Sequence, residues 1–272
     1  MIVTMDGRHQ EAARSHLRRL TGKPHITFTG RGNRAIKKAL SLARKKKEEL
    51  LIPDQAGWLT YKPLGEKAGY TIRTLKTDAG LITPDMITGD DKTVLLINTL
   101  PAYAFTIPAE AIAEKCKEQG ILLINDAAAS IGTPAAKEGD VIIGSFGKWK
   151  PLPLRQGGFI ATDEPLGEEE PNLEWARLAK LLENVEERTT KMKRRANKLK
   201  QHLRKYDLIH PDKAGYNVIA RYRSEEEKEN LINDAGALEP RLEHTLCPRD
   251  IRVDQQAVCF ELKRMFDHEV NE

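Results

Sequence analysis

The alternation of short apolar runs with longer amphipathic stretches, from residue 23 to about residue 162, is the feature that most constrains the fold. Strands separated by stretches of helical length are joined by crossovers, and such units build a parallel sheet covered by helices. We therefore predict an α/β domain with a mostly parallel sheet and helices on both faces. Strands are predicted at 25–30, 49–53, 70–75, 92–100, 121–126, 140–145 and 157–163, and helices at 33–49 and 109–120.

The character of the sequence changes after residue 163, where the acidic, proline-containing stretch DEPLGEEEPN is typical of a domain boundary. We expect a large α/β domain over residues 1–165, and a connecting helix with a small α+β domain over 166–272. The elements predicted in this second part are one long helix at 173–203, a strand at 216–223, a helix at 224–236 capped by Ser224, and a closing helix at 254–266.

Composition removes several classes of protein. The 272 residues are 40% hydrophobic and 31% charged, as in globular domains, and no apolar run reaches the roughly 20 residues of a membrane span. The N-terminus lacks the apolar stretch of a signal peptide, so we expect a cytoplasmic protein without membrane contact. Cys116, Cys247 and Cys259 form no CxxC pair and indicate neither a disulfide framework nor a metal site.

A glycine-rich turn, TGRGNRA (29–35), lies between the first predicted strand and the helix after it. Free backbone amides and the positive end of a helix bind phosphate at such a turn. The spacing also matches the GxGxxA dinucleotide fingerprint, for which Asp54 after the next strand would supply the ribose carboxylate. From this segment alone an ordinary turn, a dinucleotide site and another phosphate site all stay open.

Two further segments place reactive side chains after buried strands. Asp126 follows ILLIN and precedes three alanines, which suits a carboxylate beside a flat ligand or, alternatively, a helix N-cap. GSFGKWKPLPLRQGGF (144–159) brings Ser145, Lys148 and Lys150 to another strand end. A lysine in a partly desolvated pocket is more easily deprotonated and can act as an imine-forming nucleophile, although surface lysines are common.

In this order, over about residues 25–162, these segments resemble the fold-type I pyridoxal-phosphate enzymes, and among them the DegT/StrS-type sugar aminotransferases. Gly32 and Asn33 lie where that family has a phosphate-binding Ser-Gly-Thr turn, and IPDQAGWLTY resembles the stretch whose aromatic residue, here Trp58, stacks on the cofactor ring. INDAAAS resembles the family's Glu-Asp-Ala-Ala-Gln segment, and SFGKWKPLPLRQGGF resembles its Ser-Phe-His-x-x-Lys segment with the following glycine pair.

The resemblance implies a role for each matched residue. Lys150 would form the aldimine with pyridoxal 5′-phosphate and transfer protons, with Lys148 as the rival because other fold-type I enzymes use a Ser-x-x-Lys spacing. Asp126 would face the pyridine nitrogen. Ser145, together with Gly32 and Asn33, would hold the phosphate. The implied activity is a PLP-dependent aminotransferase that takes a small-molecule amino donor and a keto sugar or keto acid, and the implied assembly is a homodimer.

Departures from the family pattern keep other functions open. Asn33, Ala129 and Gly147 replace the family's threonine, glutamine and histidine, and the chain is shorter than the about 370 residues expected of two full lobes. The alternatives are a diverged non-catalytic member or partner subunit, and a PLP-dependent lyase or desulfurase. Nucleic-acid binding through the basic stretch 191–205 is less favoured than a solvated helix face, because no aromatic residues are interleaved.

Overall fold

A computed structural model describes residues 5–167, 169, 171–249 and 251–266 of the chain. The helices are α1 (Met5–Thr21), α2 (Gly32–Arg44), α3 (Tyr61–Lys67), α4 (Ala109–Gln119), α5 (Trp175–Glu183), α6 (Val185–His202), α7 (Glu225–Leu238) and α8 (Leu262–Met265). The strands are β1 (His25–Thr29), β2 (Glu49–Pro53), β3 (Thr71–Leu75), β4 (Thr93–Asn98), β5 (Leu122–Asp126), β6 (Val141–Ser145), β7 (Gly158–Thr162), β8 (Val218–Arg221), β9 (His244–Cys247) and β10 (Ala257–Phe260).

The first seven strands form one sheet in the order β1-β7-β6-β5-β4-β2-β3. Strands β2 to β6 pair in parallel, whereas β7 runs antiparallel to both of its neighbours, β6 and β1. The predicted, mostly parallel sheet is therefore confirmed. Because β1 and β6 share one direction, the turn after β1 and the loop after β6 emerge at the same edge of the sheet.

Helices cover both faces of this sheet, as predicted. The strand interiors are apolar on both sides, so neighbouring residues such as Leu50 and Leu51 enter different clusters. One face packs against α2 and α3, and the other packs against α1, α4 and α5. The helices α1 and α3 were not predicted, and α2 ends at Arg44 rather than at residue 49.

The prediction of one long helix over 173–203 is wrong. The segment forms α5 and α6, which are separated at Asn184. The Asn184 side-chain amide donates a hydrogen bond to the Lys180 carbonyl at 2.8 Å, and such local bonds compete with the regular helix ladder. Helix α5 packs against α1 of the large sheet, although it follows the predicted boundary at residue 165, and that boundary stays a prediction.

The C-terminal part contains a three-stranded antiparallel sheet in the order β8-β10-β9. Ser224 caps α7 as predicted, since its Oγ accepts a hydrogen bond from the Glu227 amide at 3.1 Å. The predicted closing helix at 254–266 is wrong, because this segment forms β10 and only a short α8. Consecutive residues from Ala257 to Phe260 are all buried, which suits a central strand covered on both faces and not an amphipathic helix.

In the described part of the chain, no helix has both the length and the apolar character that crossing a membrane requires. The three cysteines are buried and form no disulfide bond.

Candidate active site

A cavity of about 450 Å³ opens at the edge of the sheet where β1, β2, β5 and β6 end. Loops that leave the carboxyl ends of parallel strands converge at one edge, which is where α/β sheets bind ligands. All the site residues that the family resemblance implies line this cavity. They are Gly32, Asn33, Trp58, Asp126, Ser145 and Lys150, together with the rival Lys148.

The glycine-rich turn is tightly packed against the end of β6. A Cβ atom at Gly32 would lie 2.6 Å from the Ser145 Cβ and 2.8 Å from its Oγ, so only glycine fits there. A Cβ at Gly158 would likewise come within 3.0 Å of the Gly32 backbone. The N-terminus of α2 and the Ser145 hydroxyl therefore share one small space, and both offer hydrogen-bond donors to an anion.

The orientation of the Asn33 side chain is set by two donors. The Trp58 Nε1–H donates to Asn33 Oδ1 at 2.9 Å, and the Thr60 hydroxyl donates to the same oxygen at 3.3 Å. Because both neighbours donate, the amide NH₂ of Asn33 points away from them and keeps its hydrogens for another acceptor. Asn33 thus adds a neutral hydrogen-bond donor beside the glycine-rich turn.

Asp126 is 7% exposed and has both carboxylate oxygens engaged by neutral donors. The Tyr61 hydroxyl donates to Oδ2 at 2.7 Å, and the Ala128 amide donates to Oδ1 at 3.0 Å. Burial and then the charge of Asp126 raise the pKa of Tyr61 well above its usual value, so Tyr61 stays a donor. The alternative role of Asp126 as a helix N-cap is not formed, because the residues after it form turns.

The two candidate lysines differ in their surroundings. The Lys150 Nζ donates to the Tyr103 hydroxyl and lies 5.1 Å from the centre of the Trp58 ring. The Lys148 Nζ lies instead 4.5 Å from the centre of the Trp149 ring. Lys150 therefore lies close to Trp58, the aromatic residue that the resemblance assigns to the cofactor ring.

Asp54 does not join the glycine-rich turn. Its Oδ1 accepts hydrogen bonds from the Thr77 hydroxyl at 2.6 Å and the Thr77 amide at 3.2 Å. It lines a separate cavity of about 570 Å³ between the loop after β2 and residues 248–254. The pairing of turn and carboxylate that a dinucleotide site needs is thus not formed.

A buried charge cluster from the C-terminal part lies beside the Tyr103 ring. Glu261 is fully buried and accepts hydrogen bonds from Arg252 at 2.6 and 2.9 Å, while the Lys263 Nζ lies 3.4 Å from its other oxygen. Burial alone would raise the pKa of Glu261, but Lys263 and Arg252 lower it to about 2. Burial lowers the pKa of Lys263 to about 7 against the attraction of Glu261.

Three basic side chains of the stretch 191–205 form ion pairs within the chain. Lys191 binds Glu187 at 2.7 Å, Arg195 binds Glu239 at 2.7 Å, and Lys205, just beyond the helix, binds Asp234 at 2.7 Å. These pairs agree with the solvated helix face that the sequence favours over a nucleic-acid contact.

Sequence reasoning missed two tyrosines at the site. Tyr61 lies three residues after Trp58, and Tyr103 follows β4 at the same sheet edge as the predicted residues. Their position after buried strands was the available signal. Ala129, where the family has glutamine, packs in one buried cluster with Tyr103, and a Cβ at Gly147 would lie 3.3 Å from the Ser145 Oγ.

The residues present fit pyridoxal phosphate. The glycine-tight turn, the Ser145 hydroxyl and the Asn33 amide suit its phosphate, and the Trp58 ring suits its flat ring. Asp126 offers a carboxylate to a protonated ring nitrogen, and Lys150 offers an amine to the aldehyde.

Comparisons with known proteins agree with the fold. The sequence model of the DegT/DnrJ/EryC1/StrS aminotransferase family matches residues 2–178, and that of the MJ1341 family C-terminal domain matches residues 186–272. A search of curated proteins finds no match. One similar solved structure is DndA from Streptomyces lividans, with a TM-score of 0.73 at 13% identity over 93% of this chain and 88% of that one.

Two other similar structures are aminotransferases. Ureidoglycine-glyoxylate aminotransferase from Bacillus subtilis has a TM-score of 0.67 at 14% identity, covering 100% of this chain and 89% of its own. Alanine--glyoxylate aminotransferase from Nostoc sp. has a TM-score of 0.67 at 13% identity, covering 97% and 84%. At these identities the structures establish the shared fold, which is that of fold-type I pyridoxal-phosphate enzymes.

Proposed function

This chain belongs to the DegT/DnrJ/EryC1/StrS aminotransferase family, and from that premise we propose that it is a pyridoxal-phosphate-dependent aminotransferase. Its proposed substrates are an amino donor and a keto sugar or keto acid. The observation that carries the proposal is the convergence of Lys150 and Asp126 on one cavity that is also lined by the glycine-rich turn at Gly32. A protein that only needed the fold would have no use for both side chains.

Each residue has a role that follows from its chemistry. When bound, pyridoxal phosphate supplies an aldehyde for amines and a ring that accepts an electron pair. Ser145, Asn33 and the amides of α2 hold the phosphate, and Trp58 holds the ring plane. Asp126 keeps a proton on the pyridine nitrogen. Lys150 moves a proton between the donor's α-carbon and the cofactor's C4′.

The half-reaction with an amino donor tests this proposal. The purified protein is incubated with pyridoxal phosphate and a panel of amino acids, and pyridoxamine phosphate is quantified by chromatography. We expect conversion by the wild type and a loss of about 100-fold or more in Lys150→Ala, since proton transfer by a positioned group contributes at least that much.

Lys148→Ala is the matched control, because it removes the neighbouring lysine of the same cavity. It should convert the cofactor at close to the wild-type rate. If Lys148→Ala is inactive and Lys150→Ala is active, the lysine assignment is wrong. If the wild type binds pyridoxal phosphate but forms no pyridoxamine phosphate with any amino acid of the panel, the non-catalytic partner-subunit alternative replaces the proposal.

We also propose that the protein is a homodimer, because members of the family that it resembles are usually homodimers. Light scattering coupled to size-exclusion chromatography measures this directly. The expected mass is twice the 30.6 kDa of one chain, and a mass of one chain at micromolar concentration would contradict the proposal.

A further inference from the structure

The turn that carries Tyr103 has an unusual backbone. Ala102 and Tyr103, which follow β4, have φ angles of 51° and 60°, in the left-handed region that residues with a Cβ rarely adopt. Each such residue costs about 1–2 kcal/mol, so a pair in sequence persists only where neighbouring structure holds it.

The C-terminal part of the chain holds the turn. The Tyr103 carbonyl accepts hydrogen bonds from the amides of Tyr216 at 2.7 Å and Asn217 at 2.8 Å, and the Asn217 side chain donates to the Ala102 carbonyl at 3.2 Å. A Cβ at Gly215 would lie only 2.0 Å from the Ala104 carbonyl oxygen, so the two backbones are in direct contact there.

The ring of Tyr103 is also fixed from the C-terminal side. It is 5% exposed, the Lys263 Nζ lies 4.1 Å from its centre, and the Arg252 guanidinium carbon lies 5.8 Å from it. Both cations are tied to buried Glu261, so they cannot move away from the ring without breaking an ion pair. The hydroxyl of the ring then meets the Lys150 Nζ.

We infer that Tyr103 is a positioning residue for Lys150, and that the C-terminal part of the chain acts on the lysine through it. The phenol oxygen accepts a hydrogen bond from Nζ and fixes the amine beside the Trp58 ring, 5.1 Å from its centre. A lysine side chain has four rotatable bonds, so an anchored amine reacts faster than a free one. This inference rests on the proposed function.

The test is Tyr103→Phe, which removes the hydroxyl and keeps the ring. Pyridoxal phosphate is added, and the rate of attachment to Lys150 is followed. In this step Nζ adds to the aldehyde carbon and water leaves, and added borohydride supplies the hydride that reduces the C=N bond. Affinity for pyridoxamine phosphate, which has no aldehyde, is measured in parallel.

Tyr216→Phe is the matched control, because Tyr216 lies in the same buried cluster and uses its backbone amide, not its hydroxyl, to hold the turn. We expect attachment to slow about 5-fold or more in Tyr103→Phe, with pyridoxamine phosphate affinity unchanged within about 2-fold. Tyr216→Phe should leave both quantities unchanged.

Attachment at the wild-type rate in Tyr103→Phe would overturn the inference. An equal fall in attachment and in pyridoxamine phosphate affinity would also overturn it, because Tyr103 would then only support the cavity. If the wild type does not attach pyridoxal phosphate at all, the proposed function and this inference both fail. The wild-type protein alone shows this outcome, so it is distinguishable from a failure of the inference, which only Tyr103→Phe reveals.

Discussion

Asp126 at the sheet edge and Glu261 in the C-terminal part are both buried carboxylates, 7% and 0% exposed, but their partners differ. Asp126 receives hydrogen bonds from neutral donors, the Tyr61 hydroxyl and the Ala128 amide, and no lysine or arginine of the described residues forms an ion pair with it. Glu261 binds Arg252 and Lys263 directly. The charge of Glu261 is therefore balanced within the chain, whereas Asp126 has only neutral donors among the described residues, which suits the role proposed for it opposite a cationic group of a ligand.

The largest effect that this comparison predicts is on the stability of Glu261→Gln. Removing the charge leaves Arg252 and Lys263 buried without their counter-ion, and breaking such a pair costs about 3–5 kcal/mol. Urea unfolding measures the loss. The control Glu243→Gln removes a 55% exposed partner of Arg264 and should cost less than about 1 kcal/mol. Equal losses of unfolding free energy in Glu261→Gln and Glu243→Gln would show that burial does not make the Glu261 ion pairs more important than the exposed one.

A smaller, pH-dependent effect is predicted for Lys263→Met. Burial lowers the pKa of Lys263 to about 7, whereas in the unfolded chain it is about 10.4. Between pH 7 and about 10.4 the unfolded chain binds more protons than the folded chain, so the folded state of the wild type becomes more stable as the pH rises. The free-energy penalty for burying Lys263 is therefore complete below pH 7 and disappears as the pH rises toward 10. The stability of Lys263→Met relative to wild type should therefore fall between pH 7 and 10.

Unfolding curves at pH 6.5, 8 and 9.5 measure this difference. The free energy of unfolding of the variant minus that of the wild type should be about 1–3 kcal/mol higher at pH 6.5 than at pH 9.5. A difference that is constant with pH would mean that Lys263 stays charged throughout, and that Glu261 holds two permanent cations.

The third effect concerns the glycine-rich turn at Gly32. Gly32→Ala puts a Cβ 2.6 Å from that of Ser145, and the shift needed to relieve the contact costs about 1–3 kcal/mol. Inorganic phosphate and pyridoxamine phosphate should both bind more weakly in this variant. Gly236→Ala in α7 is the control, because its Cβ would meet no described atom within 4 Å. This substitution should stabilise the helix by up to about 1 kcal/mol. Unchanged phosphate affinity in Gly32→Ala would remove this turn from the site.

The sequence predicts the sheet edge well because β2, β5 and β6 each contain an apolar run that is followed by polar residues. Asp126 and Ser145 are the last residues of β5 and β6, so locating the strands also located these side chains. Gly32 and Trp58 follow β1 and β2 in the same way.

The C-terminal part was predicted less well for physical reasons. β10 is buried on both faces and is followed at once by charged residues, so its pattern is also compatible with an amphipathic helix. The break at Asn184 depends on one side-chain hydrogen bond. The contacts of Tyr103 and Glu261 join residues more than a hundred positions apart or in separate elements, and local periodicity carries no information about them.

The most direct test of the account is to map the lysine that pyridoxal phosphate labels. The wild-type protein is incubated with the cofactor, reduced with borohydride and digested, and the labelled peptide is sequenced by mass spectrometry. We predict one labelled residue, Lys150, which lies 5.1 Å from the centre of the Trp58 ring and lines the same cavity as Asp126. Label on Lys148, or no label at saturating cofactor, would contradict it.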